Sequence, residues 1–187
     1  YQTKKSPVHE LEFVFNNLET LQPSGKCIAI VPLSCAIGDE RESVEKKRRI
    51  MESHTLEAVM TMPSDLFHDS DANVATCIMV LTAHVPHQTG KKTWFGYWRN
   101  DGFIKVKNRG RVDANGTWDS IKKKWLRAYY NKAEISGFSV MREVGSEDEW
   151  CAEAYMEPDW SKLNREELTR TFKDFAIHRL LLEVNDA

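Results

Sequence analysis

The chain has 187 residues, a net charge of −2 and a hydrophobic fraction of 41%. That length suits one large domain, or one and a half small ones, with a real buried core. The longest apolar runs, "CIAIVPL" and "ATCIMVL", are far too short to span a bilayer as helices, so no membrane partner is expected.

Ser6-Pro7 is a helix start, with a Ser cap and Pro at the first helical position. Leu11, Val14, Leu18 and Leu21 recur at helical spacing, which predicts an amphipathic helix over 7–21. "QPSGK" ends it, and "KCIAIVPLS" follows as a continuous apolar run rich in β-branched residues. Such a run predicts a strand buried on both faces, as in a parallel sheet. "ERESVEKKRRIMES" (40–53) predicts a charged outer helix with Val44, Ile50 and Met51 inward. "HTLEAVMTMP" and "NVATCIMVLTAH" predict two more strands. The loop between them is too short for a helical crossover, so they should be antiparallel neighbours.

After residue 90 the texture changes. Two aromatic runs flank Asn100-Asp101-Gly102, which predicts a tight hairpin because both turn positions need residues that tolerate positive φ. Trp118, Ile121, Trp125 and Tyr129 then lie on one helical face. Residues 138–157 read as either helix or strand. Asn164 and Glu167 form a capping-box-like pair that opens a long final helix.

Cys27, Cys35, Cys77 and Cys151 are scattered with no C-x-x-C pair, and no H-x-x-x-H spacing occurs among the six His. That argues for a reducing, cytoplasmic setting and against a disulfide framework or a metal site. Residues 104–132 carry nine Lys or Arg against two Asp; residues 143–187 carry twelve Asp or Glu against five Lys or Arg. The basic block either meets phosphate or forms solvated faces that pair with the acidic one. Lys105, Lys107, Arg109, Arg111, Lys122, Lys123, Lys124 and Arg127 are its candidate nucleic-acid contacts, interleaved with aromatics that can stack on bases or simply pack a small core. No G-x-G-x-x-G, Walker loop, G-x-S-x-G or H-E-x-x-H occurs. The residues themselves give the second half of a doubly wound α/β sheet without a glycine-bearing first half.

The run "ELEFVFNNLETLQPSGKCIAIVPLSCAIG", then "HTLEAVMTMPSDLF", then "VATCIMVL", resembles the distal catalytic region of adenine-specific DNA methyltransferases. The likeness is greatest to the modification subunits of type I restriction systems and their fused type IIG relatives. "EDEWCAEAYMEPDWSKLNREELTRTFKDFAIHRLL" is similar to segments beyond the catalytic domain in some of these enzymes. The resemblance implies an α/β fold: the distal half of a class I, S-adenosylmethionine-dependent, Rossmann-like sheet over 1–90, and a smaller mixed α+β extension over 91–187. It implies methyl transfer from S-adenosylmethionine to the exocyclic amine of adenine in DNA. A flipped base needs stacking faces. Tyr1 stands where the Tyr of the family's Asn-Pro-Pro-Tyr motif would stand, or is an ordinary chain terminus. Phe67 lies on the loop whose aromatic residue can pack against the flipped base, or it plugs the sheet edge. The donor-binding glycine loop and the Asn-Pro-Pro groups are absent from this sequence, so the chain alone should be inactive. The implied partners are DNA, the N-terminal half of the methyltransferase and a specificity subunit, with self-association through an exposed sheet edge. A non-catalytic DNA- or subunit-binding module of a defence system is the alternative.

Overall fold

The computed structural model describes residues 8–67, 74–107, 109–157, 164–165, 168–173 and 175. Tyr1, the Ser6-Pro7 cap and Glu167 therefore lie outside the described residues. In chain order the elements are α1 (Val8–Glu19), β1 (Lys26–Pro32), α2 (Ser34–Ile37), α3 (Arg41–Ser53), β2 (Thr55–Thr61), β3 (Thr76–Thr82), β4 (Lys92–Tyr97), β5 (Ile104–Val106), β6 (Gly110–Val112), α4 (Trp118–Tyr130) and β7 (Ser139–Glu143). A 3-10 turn follows at Ala152–Ala154.

Five strands form one mixed sheet in the order β1-β3-β2-β4-β7. β3 runs antiparallel to both β1 and β2, so the expected antiparallel pairing of β2 and β3 is observed. β4 pairs parallel with β2, and β7 closes the far side antiparallel to β4. Because side chains alternate across a strand, the sheet has two apolar faces. On one face Leu11, Val14 and Leu18 of α1 and Ile50 of α3 pack on Val31, Leu56, Val59, Met79, Leu81 and Phe95. On the other, Trp125 and Ala128 of α4 pack on Ala58, Met60, Val80, Trp94 and Trp98. Full burial of such a side chain stabilises the fold by about 1.5–3 kcal/mol.

Four sequence expectations are corrected. β1 is not buried on both faces: it is an edge strand with Ile28 70% and Ile30 59% exposed, because α4 does not extend over it. The aromatic runs around Asn100-Asp101-Gly102 do not form a hairpin. β4 finds its partner in β7 instead, and the short antiparallel ribbon β5–β6 is a separate sheet. On α3 the buried stripe is Ser43, Lys47 and Ile50, so one of its lysines points inward. The expected division at residue 90 falls inside the sheet, since β4 pairs with β2. The described residues up to Met156 form one compact unit; in the second, from Glu157, residues 168–173 are helical.

None of the four cysteines is in a disulfide. Burial pushes the Cys35 thiol up to about 12 and the Cys151 thiol up to about 11, so both behave as small hydrophobes. Among the described residues no helix is long and apolar enough to cross a membrane.

Candidate functional site

β1, β2 and β4 point the same way, so their carboxyl ends deliver three chain segments to one edge of the sheet. In open α/β sheets that edge is where ligands bind. After β1, Leu33 N donates to Ala75 O at 2.8 Å and α2 begins at Ser34. After β2 comes the loop 62–67, pinned by Met62 N to Thr76 O (2.9 Å) and by a turn in which Leu66 N donates to Pro63 O (3.3 Å). Phe67 sits on this loop, exposed.

After β4, Trp98 N donates to Thr61 O at 2.8 Å, and the chain then turns through Asn100-Asp101-Gly102. The side chains of Asn100 and Asp101 accept from Gly102 N (3.1 Å) and Phe103 N (3.0 Å). Gly102 has φ +80°, and a Cβ there would collide with Thr117 Oγ1, so only glycine fits this turn. Asp101 is buried and accepts both Nη groups of Arg111, at 2.9 and 2.8 Å. Arg111 Nε lies 3.2 Å from Asp65 Oδ1, an ion pair whose N–H is not aligned as a hydrogen bond.

The segment 145–156 lies against the same edge. Trp150 N donates to Ala36 O at 2.9 Å. Glu153 accepts from Thr61 Oγ1 (2.7 Å) and from Arg99 Nε (3.0 Å), joining the ends of β2 and β4. Buried Lys47 donates to Gly38 O (2.9 Å) and Asp148 O (3.1 Å). Sequence reading missed Lys47, Asp65, Arg99 and Glu153, because nothing local in their spacing marks a partner so far along the chain.

The basic candidates separate into groups. Lys105, Lys107 and Arg109 are exposed on the β5–β6 ribbon, and Lys105 also lies 4.0 Å from Asp65. Lys123, Lys124 and Arg127 are exposed on α4, with the Lys124 ammonium 4.7 Å from the centre of the Phe138 ring. Lys122 pairs with Asp119 at 3.1 Å. Arg111 is the exception, with its side chain only 12% exposed and already paired.

The glycines that follow β1 and β4 are closely packed. A donor cradle needs glycines with open space before the backbone N–H groups. A Cβ at Gly38 would meet Ser43 Oγ at 2.9 Å, and Gly102 is filled by Thr117. Among the described residues Glu19, His54 and His84 form the one group of potential metal ligands. His54 Nδ1 accepts from His84 N at 3.0 Å, and its Nε2 lies 3.2 Å from Glu19 Oε1 without an aligned hydrogen bond.

Along the free edge of β1 runs a groove of about 460 Å³, lined by Phe13, Leu21, Ile28 and Ile30 among others. Phe13 is 71% exposed there.

A five-stranded mixed sheet with an antiparallel strand inserted between two parallel ones, helices on both faces and a bare apolar edge is the distal part of a class I methyltransferase fold. Solved structures share it at low identity. The modification subunit of a putative type I restriction enzyme from Vibrio vulnificus YJ016 matches with a TM-score of 0.54 and 14% identity, over 76% of this chain and 28% of that one. A chain of a type I R-M system, solved in a study of its complex assembly and conformational transition, matches with a TM-score of 0.57 and 18% identity, over 94% and 38%. Residues 2–156 match the N-6 DNA Methylase family, and the chain belongs to it. It is 34% identical over 148 residues to the type II restriction enzyme and methyltransferase RM.BcgI of Heyndrickxia coagulans, covering 78% of this chain and 23% of that protein.

Proposed function

We propose that this chain is the base-side and DNA-facing part of an enzyme that methylates the exocyclic amine of adenine in DNA with S-adenosylmethionine, within a restriction-modification system of the cytoplasm. The observation that carries this reading is the bare edge of β1. Its outward main-chain groups have no strand partner among the described residues, and Ile28, Ile30 and Phe13 beside it are exposed. Such an edge is a template for another strand. The donor site and the polar groups that hold the target amine belong to the segment that covers it.

This chain's own contribution is positional. The loop 62–67 presents Phe67 to a base turned out of the duplex, and base–aromatic stacking is worth about 1–3 kcal/mol. The ribbon and α4 offer the phosphates Lys105, Lys107, Arg109, Lys122, Lys123, Lys124 and Arg127. Arg111 serves the fold of that surface. Tyr1 would stack on the opposite face of the base. A specificity subunit, as a further partner, would choose the target sequence.

The test is transfer of a labelled methyl group from S-adenosylmethionine to long unmethylated DNA of mixed sequence. The intact protein should label adenine, and this chain alone should not. Phe67→Ala in the intact protein should slow transfer by roughly 5- to 150-fold, the rate equivalent of the lost stacking. Labelling by the isolated chain, or none by the intact protein, would sink the reading.

A further inference from the structure

We propose that Arg111 is a positioning residue: it locks the Phe67 loop to the basic ribbon so that the two move as one body. This rests on the reading above for its consequence in catalysis, and on geometry for the lock itself. The ribbon β5–β6 is a separate two-stranded sheet, so no hydrogen bonds of the main sheet hold it. One guanidinium reaches three pieces of the carboxyl edge. It is carried by β6, its two Nη groups bind Asp101 on the loop after β4, and it forms an ion pair, Nε to Oδ1 at 3.2 Å, with Asp65 on the loop after β2. Its plane lies near the Phe103 ring, 5.4 Å from the ring centre, which itself meets Trp118 of α4 edge-on at 5.8 Å. A bidentate arginine fixes orientation as well as distance. Asp65 is two residues from Phe67, and Lys105 on the same ribbon also approaches it, at 4.0 Å. Phosphates held by the ribbon and a base held at Phe67 thereby keep one spacing. Misplacement by about 1 Å far from the reacting atoms can cost a hundredfold in rate.

Asp65→Asn separates the lock from the fold, because the Arg111–Asp101 pair stays intact. In the intact protein this variant should speed hydrogen exchange at the Leu66 amide, which is held by Pro63 O, and leave β2 and β3 unchanged. Methyl transfer should lose roughly tenfold or more in kcat, with KM for S-adenosylmethionine unchanged. Asp65→Glu, which keeps the charge, should recover part of both. Unchanged exchange at Leu66 overturns the lock. Faster exchange with unchanged kcat overturns its role in positioning. If the wild-type protein labels no DNA, the methyltransferase reading falls alone, and exchange still decides whether Arg111 holds the loop.

Discussion

The ammonium of Lys47 donates to the backbone carbonyl of Asp148, 3.1 Å away and 101 residues later in the chain. Lys47 is 1% exposed, also donates to Gly38 O, and lies 5.4 Å from the centre of the Trp150 ring. It faces carbonyl oxygens and a π-face, and burial lowers its pKa against the pull of Glu149 and Asp148. A buried charge satisfied by carbonyls fastens α3 to the segment that covers the carboxyl edge.

Lys47→Ala removes that fastening and leaves two carbonyls without a donor. Each buried group left unsatisfied costs about 1–3 kcal/mol. Urea unfolding should show a clear fall in midpoint, and exchange at the Trp150 amide, bonded to Ala36 O, should rise before that of the sheet. A midpoint equal to the wild type would show that Lys47 is a passenger.

The contrast between Lys47 and the strands shows what the sequence could reveal. α1, α3, α4 and the antiparallel β2–β3 pair were legible because periodicity and loop length are local. The exposure of β1 was not, since Ile28 and Ile30 look like core residues wherever they stand; only the covering elements decide. Asn100-Asp101-Gly102 signalled a turn correctly but not its use, because the strand that pairs with β4 begins at Ser139. Of the candidate site, the placement of Phe67 on the loop after β2 was legible. The pairing of Arg111 with Asp101 and Asp65 was not, because a paired arginine and a phosphate-binding one look the same in sequence.

That distinction can be measured. If the exposed ribbon residues meet phosphate, the double variant Lys107→Ala/Arg109→Ala should lower the slope of log affinity for duplex DNA against log salt by about 1.8, or ~0.9 per contact. Arg111→Ala should act on the fold. It leaves the Asp101 side chain, only 9% exposed, without its partner, and should cost about 3–5 kcal/mol of stability. A slope unchanged in the double variant removes the ribbon from the DNA surface.

The bare edge makes its own prediction. This chain should self-associate as its concentration rises in sedimentation, through β1. A lysine on an edge strand blocks such pairing. Ile28→Lys/Ile30→Lys should therefore give a monomer, with little change in melting temperature because both side chains already face solvent. Wild-type chain that stays monomeric at high concentration would place the sticky surface elsewhere or nowhere.

His54 gives a pH dependence with a definite sign. It is fully buried, and burial lowers its pKa from the ordinary 6.5, opposed by Glu19 and reinforced by His84. As pH falls through 6.5 the unfolded chain takes up a proton that the folded chain refuses until a lower pH. The unfolded state then binds more protons, so stability falls with pH across that window and levels off below the folded pKa. His87, also lowered mainly by burial, adds to the slope. Melting temperature should thus drop between pH 7.5 and pH 5.5. His54→Gln does not titrate, and its amide can still donate toward Glu19. It should melt lower at pH 7.5 but lose less on acidification. If its pH slope matches the wild type, His54 is not the group that titrates.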